Sequence, residues 1–293
     1  MSDSLVSIGM PIYNSENTIS AAIESIINQT YRNLEIIISD NCSSDGTFKI
    51  CQGYAELDSR IKIHKQVSNI GATRNFDYVL RNSNGKYFMW AAGDDYRSLD
   101  FIEVNKIELD NNDEYVASTS PDLLGEQENN NFKFELGGIY GNQAERFFAF
   151  VKIRRRSHGL FYSLMRSEVI KNCTYVNEAF FAWDWAIVLF LAASGSINRS
   201  KFGFIHFSDL GESSSSSIYN SLSLKGYKTL FPFRQFMNKK KDFGYANTLG
   251  LRILILLGMQ WMILSHFGRE LNAKCRAILS GAGVITYLRR YLD

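Results

Sequence analysis

Over its first hundred residues the chain alternates short β-branched runs with helical patterns, and this rhythm is the signature of βαβ units around a parallel sheet. Residues 6–10 read as a first strand ended by Pro11. A helix follows Asn14, with Ile19, Ala22, Ile23, Ile26 and Ile27 at helical spacing, closing near Gln29 and Thr30. Residues 34–39 (LEIIIS) form a nearly continuous apolar run, as a strand buried on both faces requires, and deliver Asp40 to its carboxyl end. A turn rich in capping residues (43–46) leads to a helix through Phe48, Ile50 and Tyr54, then to a strand at 61–65. A helix from about 73 to 81 and a strand at 87–90 run directly into Gly93-Asp94-Asp95. In open α/β sheets ligands bind at the carboxyl ends of strands, so Asp40 and Asp94 are expected to share one crevice if their strands are neighbours.

Beyond a helix at 99–109 the alternation weakens. Residues 127–131 mark a polar loop, 132–165 read as mixed strands with one helix, and 184–193 (DWAIVLFLAA) as an apolar helix beginning at Asp184. A strand is expected at 202–205, immediately before His206. The five serines at 213–217 suggest a mobile lid, and from about 218 the pattern is helical and basic. The division expected is a catalytic domain at 1–215 and a helical extension at 216–293.

Charge follows this division. Residues 1–198 carry 18 Lys and Arg against 25 Asp and Glu, a balance of −7, whereas 199–293 carry 14 against 5, a balance of +9. A basic tail favours anionic surfaces. The longest uncharged apolar stretch, 253–268, has sixteen residues and suits a buried or interfacial helix better than a spanning one. Helices near 251–267 and 273–291 are read either as lying on an anionic leaflet or as covering the catalytic domain or a second subunit. The four cysteines show no CxxC spacing and no signal-peptide pattern precedes Val6, so a reduced, cytoplasmic protein is expected. No nucleic-acid partner is expected.

Asp94 and Asp95 are costly side by side unless a cation neutralises them, and a hard divalent ion could there clamp a diphosphate; a solvated turn is the plainer reading. Asp40 either begins a turn or reads a nucleobase and ribose. Asp184 could be only a helix cap, since the helix dipole stabilises an acid in the first turn. No G-x-x-x-x-G-K-[ST] loop, G-x-G-x-x-G turn or G-x-S-x-G elbow occurs, which disfavours kinase-like, dehydrogenase and serine-hydrolase schemes.

Five segments in order, 6–14 (VSIGMPIYN), 29–31 (QTY), 35–47 (EIIISDNCSSDGT), 69–71 (NIG) and 85–95 (GKYFMWAAGDD), resemble the family 2 glycosyltransferases. The resemblance covers roughly residues 4–210. It implies the A-type glycosyltransferase (GT-A) fold, Rossmann-like with a mostly parallel central sheet and flanking helices, and an inverting transferase using a nucleotide-diphospho-sugar, with uridine preferred. Pro11, Tyr13 and Asp40 match the nucleoside-pocket positions, and Asn69 and Gly71 the segment beside the donor, with Arg74 a further candidate there. The family's Asp-x-Asp motif has Ala92 at its first position, Asp94 at its last and Asp95 after it, which implies Mg²⁺ or Mn²⁺ bridging Asp94 and the diphosphate. His206 sits where some relatives have a further metal or phosphate contact.

Asp184 matches the catalytic acid, with Trp183 where a Glu usually precedes it. It would deprotonate an acceptor hydroxyl, its basicity lowered by the helix dipole. Trp183 and Trp185 either stack on an acceptor sugar or simply pack. The acceptor expected is a glycan or lipid-linked saccharide in surface polysaccharide synthesis, with peripheral contact to the inner face of the membrane. The alternatives are sugar transfer to a polyprenyl phosphate and a non-catalytic nucleotide-sugar-binding protein of the same fold.

Overall fold

The computed structural model describes residues 3–124, 137–153, 158–180 and 183–208. The expected lid at 213–217, the boundary near 215, the extension 216–293 and the polar loop 127–131 lie outside the described residues. No helix among them is long and apolar enough to cross a membrane.

Six elements alternate first: β1 (Val6–Ile12), α1 (Ile19–Ile27), β2 (Leu34–Asp40), α2 (Thr47–Leu57), β3 (Ile61–Lys65) and α3 (Ala72–Arg81). They lead into β4 (Tyr87–Trp90), β5 (Tyr96–Arg97), α4 (Phe101–Asn111), β6 (Tyr115–Thr119) and β7 (Asp122–Leu124). The remainder comprises α5 (Gln143–Ile153), α6 (His158–Phe161), β8 (Leu164–Arg166), α7 (Ser167–Ile170), α8 (Trp183–Ser194), β9 (Ser196–Arg199) and β10 (Ile205–Phe207). Seven strands form the main sheet in the order β3-β2-β1-β4-β8-β6-β9, and β5-β10-β7 form a small second sheet. Only β8 runs against its neighbours in the main sheet, pairing antiparallel with both β4 and β6. This mostly parallel sheet flanked by helices is the GT-A architecture expected from the motifs.

Burial follows the residue pattern. Every residue of β2 is buried, as its apolar run requires, while α1 inserts Ile19, Ala22, Ile23 and Ile26 into the same core. Each such isoleucine contributes roughly 1.5–3 kcal/mol relative to an exposed one. Gly9 permits a close helix contact: a Cβ there would lie 2.6 Å from Val79 Cγ2 of α3.

Three expectations need correction. First, β1 does not stop at Pro11 but pairs through it, with Pro11 opposite Ser39 and Ile12 opposite Asp40 of β2. Gly9 faces β4, its carbonyl accepting from Ala91 N, so Pro11 two residues on faces the same way. Pairing of β1 with β4 ends at Gly9 and Trp90, so the missing proline N–H breaks no ladder bond. Second, the strand expected at 202–205 begins at Ile205 and contains His206, because its partners are β7 and β5. Third, Asp40 and Asp94 do follow strands on one edge, but β2 and β4 are not neighbours; β1 lies between them.

Candidate active site

The site is built at the carboxyl ends of β1, β2 and β4, where the strand order reverses about β1. Two loops meet there through reciprocal hydrogen bonds. Asn14 N donates to Ser43 Oγ (2.9 Å), Ser44 N to Asn14 Oδ1 (2.9 Å) and Ser15 N to Thr47 Oγ1 (2.7 Å). The turn needs left-handed backbone at Asn14 (φ 48°) and Cys42 (φ 63°). Tyr13 projects from this clasp with 43% of its surface exposed. Pro11 lies within β1, one residue before its end.

Asp40 is fully buried and accepts from the backbone N–H and the hydroxyl of Ser43. Its carboxylate therefore shapes the β2–α2 turn. Beside it Asn41 Nδ2 donates to Asn69 Oδ1 (3.0 Å), which also accepts from Gly71 N (2.9 Å). Gly71 adopts φ +83° at the start of α3, a conformation costly for side chains with a Cβ. Arg74 is exposed in the first turn of α3. Its neighbour Asn75 is buried, accepting from Ser39 Oγ (2.6 Å) and donating to Ser39 O (2.9 Å). Sequence reasoning passed over Asn75 and Asn41; the available signal was an amide at helical spacing from the N-x-G turn.

The acidic loop alternates in the manner of a strand: Asp94 and Tyr96 are half-buried, Asp95 and Arg97 buried. Gly93 O accepts from Thr18 Oγ1 (2.8 Å), tying this loop to the start of α1. Gln29, fully buried, secures the next segment by donating to Ser98 O (2.7 Å) and accepting from Ile102 N (2.9 Å). Asp95 Oδ1 accepts from Ser208 N (3.1 Å). Burial, followed by the charge of Asp94, pushes the Asp95 carboxyl up to about 7, against the opposing pull of Arg97. His206 stacks on Tyr96, with centroids 4.4 Å apart and planes 15° from parallel.

Among the described residues no three His, Cys, Asp or Glu side chains converge as a metal cage, so Asp94, Asp95 and His206 are not brought together as a ligand set. The half-buried Asp94 fits a hard cation in a different way, because Mg²⁺-type ions bind through one or two carboxylates, water and substrate phosphates.

Asp184 lies in the first turn of α8, whose start is fixed by an aromatic cluster. Trp183 meets Phe76 of α3 edge-on at 5.2 Å and Phe161 of α6 at 5.4 Å, and Phe161 stacks on Trp90 of β4 at 5.0 Å. Trp183 is thus packed into the cluster, and it, Asp184 and Trp185 are all half-buried. The Asp184 carboxyl is raised above its ordinary value. Desolvation is the main cause, with the charge of His158 and backbone N–H groups opposing it. The dipole was expected to lower its basicity; burial outweighs it. Nearby, Asp122 and Arg199 form a buried ion pair (2.7 Å) that sequence reasoning did not single out.

The chain matches the family model "Glycosyl transferase family 2" over residues 7–192. It is 42% identical over 96 residues to the UDP-Glc:alpha-D-GlcNAc-diphosphoundecaprenol beta-1,3-glucosyltransferase WfgD of Escherichia coli, covering 32% of this chain and 37% of that one. It is 34% identical over 102 residues to glycosyltransferase GlyA of Streptococcus pneumoniae, covering 34% of this chain and 14% of that one. The matched segment thus spans well under half of either relative's length. By fold it is similar to residues 1–349 of TarS from S. aureus, solved with UDP-GlcNAc (TM-score 0.57, 16% identity, 74% of this chain and 64% of that chain). It is also similar to the mannosyltransferase PcManGT from Pyrobaculum calidifontis, solved with GDP-Man and Mn²⁺ (TM-score 0.53, 12% identity, 88% and 79%). With the family model covering more than half of its length, the chain belongs to glycosyl transferase family 2.

Proposed function

We propose that the protein is an inverting glycosyltransferase that moves a sugar from a nucleotide-diphospho-sugar, a UDP-sugar by preference, to a hydroxyl of a glycan or lipid-linked saccharide in surface polysaccharide synthesis. The observation that carries this is the arrangement of Asp94 and Asp184. The first lies in the loop that follows β4, the strand beside β1, the second in the first turn of α8, and the ring contacts Trp183–Phe161–Trp90 join the start of α8 to the end of β4. The names of WfgD and TarS's ligand support the donor class, and WfgD's name supports a diphosphate-lipid acceptor.

In this reading Tyr13 and the Asn14–Ser43 clasp hold the nucleoside, Asn69 and Gly71 line the donor, and Asp94 carries the cation. A bound Mg²⁺ or Mn²⁺ supplies charge that stabilises the departing diphosphate. Asp184 takes the proton of the acceptor hydroxyl as its oxygen attacks the anomeric carbon. The bond to the diphosphate breaks on the opposite face, and its electron pair leaves with the nucleotide. A carboxylate raised by desolvation is a stronger base than an exposed one, which suits this step. The basic residues of 199–293 supply peripheral contact with an anionic inner leaflet, placing the enzyme on the cytoplasmic face.

Calorimetric titration with UDP, with and without Mn²⁺, tests the donor half. Metal-dependent binding that is lost in Asp94→Ala is the expected result. Failure to bind UDP, GDP or dTDP under any metal condition overturns the transferase reading.

A further inference from the structure

The buried ion pair of Asp122 and Arg199 has no part in the chemistry above, yet it lies under the helix that packs against the start of α8. Asp122 is the first residue of β7 and Arg199 the last of β9. Each side chain is 3% exposed, and Arg199 Nη1 donates to Asp122 Oδ1 (2.7 Å) and to Ser120 O (3.3 Å). The backbone is held as well: Asp122 pairs with Ile205 of β10, whose N–H donates to Pro121 O (3.0 Å). A charge buried to this extent is kept in place by its partners and is not free to yield to a neighbour.

That carboxylate meets α6. Gly159 N–H donates to it, and a Cβ on Gly159 would overlap Asp122 Oδ1 and lie 2.7 Å from its Cγ, so the start of α6 rests directly on the acid. Two residues on, Phe161 is 5% exposed, meets Trp183 at 5.4 Å and stacks on Trp90 at 5.0 Å. Trp183 immediately precedes Asp184. On another side His158 packs against Phe207 of β10 (5.9 Å). A helix of four residues cannot hold its place by its own backbone bonds, so these contacts set it. A close-packed interior does not absorb a displacement at Gly159 locally, and the next movable ring along the helix is the one that fixes Trp183.

Resting on the transferase reading, we propose that Asp122, held by Arg199, is a positioning residue for the base: through Gly159 it fixes α6, and through Phe161 and Trp183 α6 fixes where the Asp184 carboxylate stands against the acceptor hydroxyl. The proton still passes from the acceptor to Asp184. The clasp of Asn14 and Ser43 on the nucleoside side has no member in this chain of contacts.

Gly159→Ala drives a methyl group into Asp122 without changing any charge. Arg199→Lys keeps the charge but loses the planar fork, and it serves where the first variant does not fold. Both are compared with the wild type by calorimetry with UDP in Mn²⁺, by UDP release from UDP-glucose and UDP-GlcNAc, and by fluorine NMR of protein labelled with fluorotryptophan, the Trp183 signal being assigned by Trp183→Phe. Below the melting midpoint of each variant, the expected result is a shifted Trp183 signal and UDP release slowed by roughly tenfold to 100-fold, as for a reacting group misplaced by about 1 Å, with UDP affinity unchanged. A purely structural ion pair would lower the midpoint and leave the native signal and rate where they were. A Trp183 signal that stays put in the folded variants, or UDP affinity lost in step with the rate, overturns the proposal. A wild type that binds no nucleoside diphosphate overturns the transferase reading instead, an outcome distinct from wild-type binding with an unmoved Trp183 signal.

Discussion

The two ends of the main sheet treat their carboxylates in opposite ways. At the amino ends of the parallel strands, Glu35, Asp58 and Asp110 are all held below their ordinary values. Burial raises Glu35 and Asp110, but hydrogen bonds from Ser7 and Asn84 in the first case, and from Lys106 and Tyr87 in the second, outweigh it; Arg60 is the main cause for Asp58. At the carboxyl ends, Asp95, Asp122 and Asp184 are all raised, with desolvation the largest cause each time. One end has been given partners for its charges. At the other, desolvation outweighs whatever partners the acids have, even for Asp122 with its ion pair to Arg199, as at sites that must bind and react. The exception at the carboxyl end is Asp45, lowered because the bonds from Thr47 and Glu16 outweigh its burial in the β2–α2 turn. It is a loop-fastening residue on the donor side, and it has the loop-fastening pattern.

The sharpest test of this contrast is to neutralise one acid at each end. Asp184→Asn removes the proposed base and with it a carboxylate held in an unfavourable place. Release of UDP on transfer should fall roughly 10²- to 10⁴-fold, the usual contribution of a positioned base, while the thermal midpoint holds or rises. Glu35→Gln leaves turnover intact and lowers stability by about 1–3 kcal/mol, because donors at Ser7 and Asn84 lose a charged acceptor. Thermal melts and turnover on the two proteins read both effects. If Asp184→Asn is the one that unfolds, or Glu35→Gln the one that loses turnover, the contrast between the ends is broken.

How much of this was legible beforehand differs between the same two halves of the chain. The βαβ rhythm and the strands at 61–65 and 87–90 were readable because period and local turn chemistry decide them, whereas the order that puts β1 between the strands of Asp40 and Asp94 was not. Asp184 at the start of its helix was readable for the same reason. The helix dipole is a local effect, however, and burial by α6 and its neighbours is not, so the direction of the Asp184 shift was misjudged. Arg97, Asp122 and Arg199 carried no motif at all. Their partners lie up to 77 residues away in sequence, as in the Asp122 pair with Arg199, and only tertiary packing brings them together. The role of Gln29 was similarly hidden: its motif marked a helix end, whereas its amide clamps the loop before α4.

Acid–base titration of stability provides a second test, with opposite signs at the two ends. Glu35 is held below 4.5 in the folded state, so the unfolded chain binds more protons and stability rises with pH. Its contribution is fully present above the unfolded value and is lost on acidification through the folded one. Asp95 is raised from 3.8 to about 7, so here the folded chain binds more protons and stability falls as pH rises across that interval. The full cost is at most roughly 4 kcal/mol. Denaturant unfolding from pH 3 to 8 should therefore show a maximum on the acidic side of neutrality. In Asp95→Asn the decline above that maximum should flatten while the acid limb remains. A decline that persists unchanged in Asp95→Asn would remove Asp95 as its source.

The smallest effect separates two adjacent residues on the donor side. Arg74 and Asn75 both follow the N-x-G turn, and a basic side chain near a diphosphate is the more obvious choice by charge. The hydrogen bonds favour Asn75, which holds Ser39 through both its hydroxyl and its carbonyl and so ties α3 to the end of β2 beside Asp40. Asn75→Ala leaves those groups buried and unpaired, and should cost about 1–3 kcal/mol together with weaker UDP binding. Arg74→Ala, on an exposed first turn, should stay within about 0.5 kcal/mol in stability. If UDP binding falls further in Arg74→Ala than in Asn75→Ala, the donor side depends on a mobile surface charge, and the picture of it as a rigid, internally fastened half gives way.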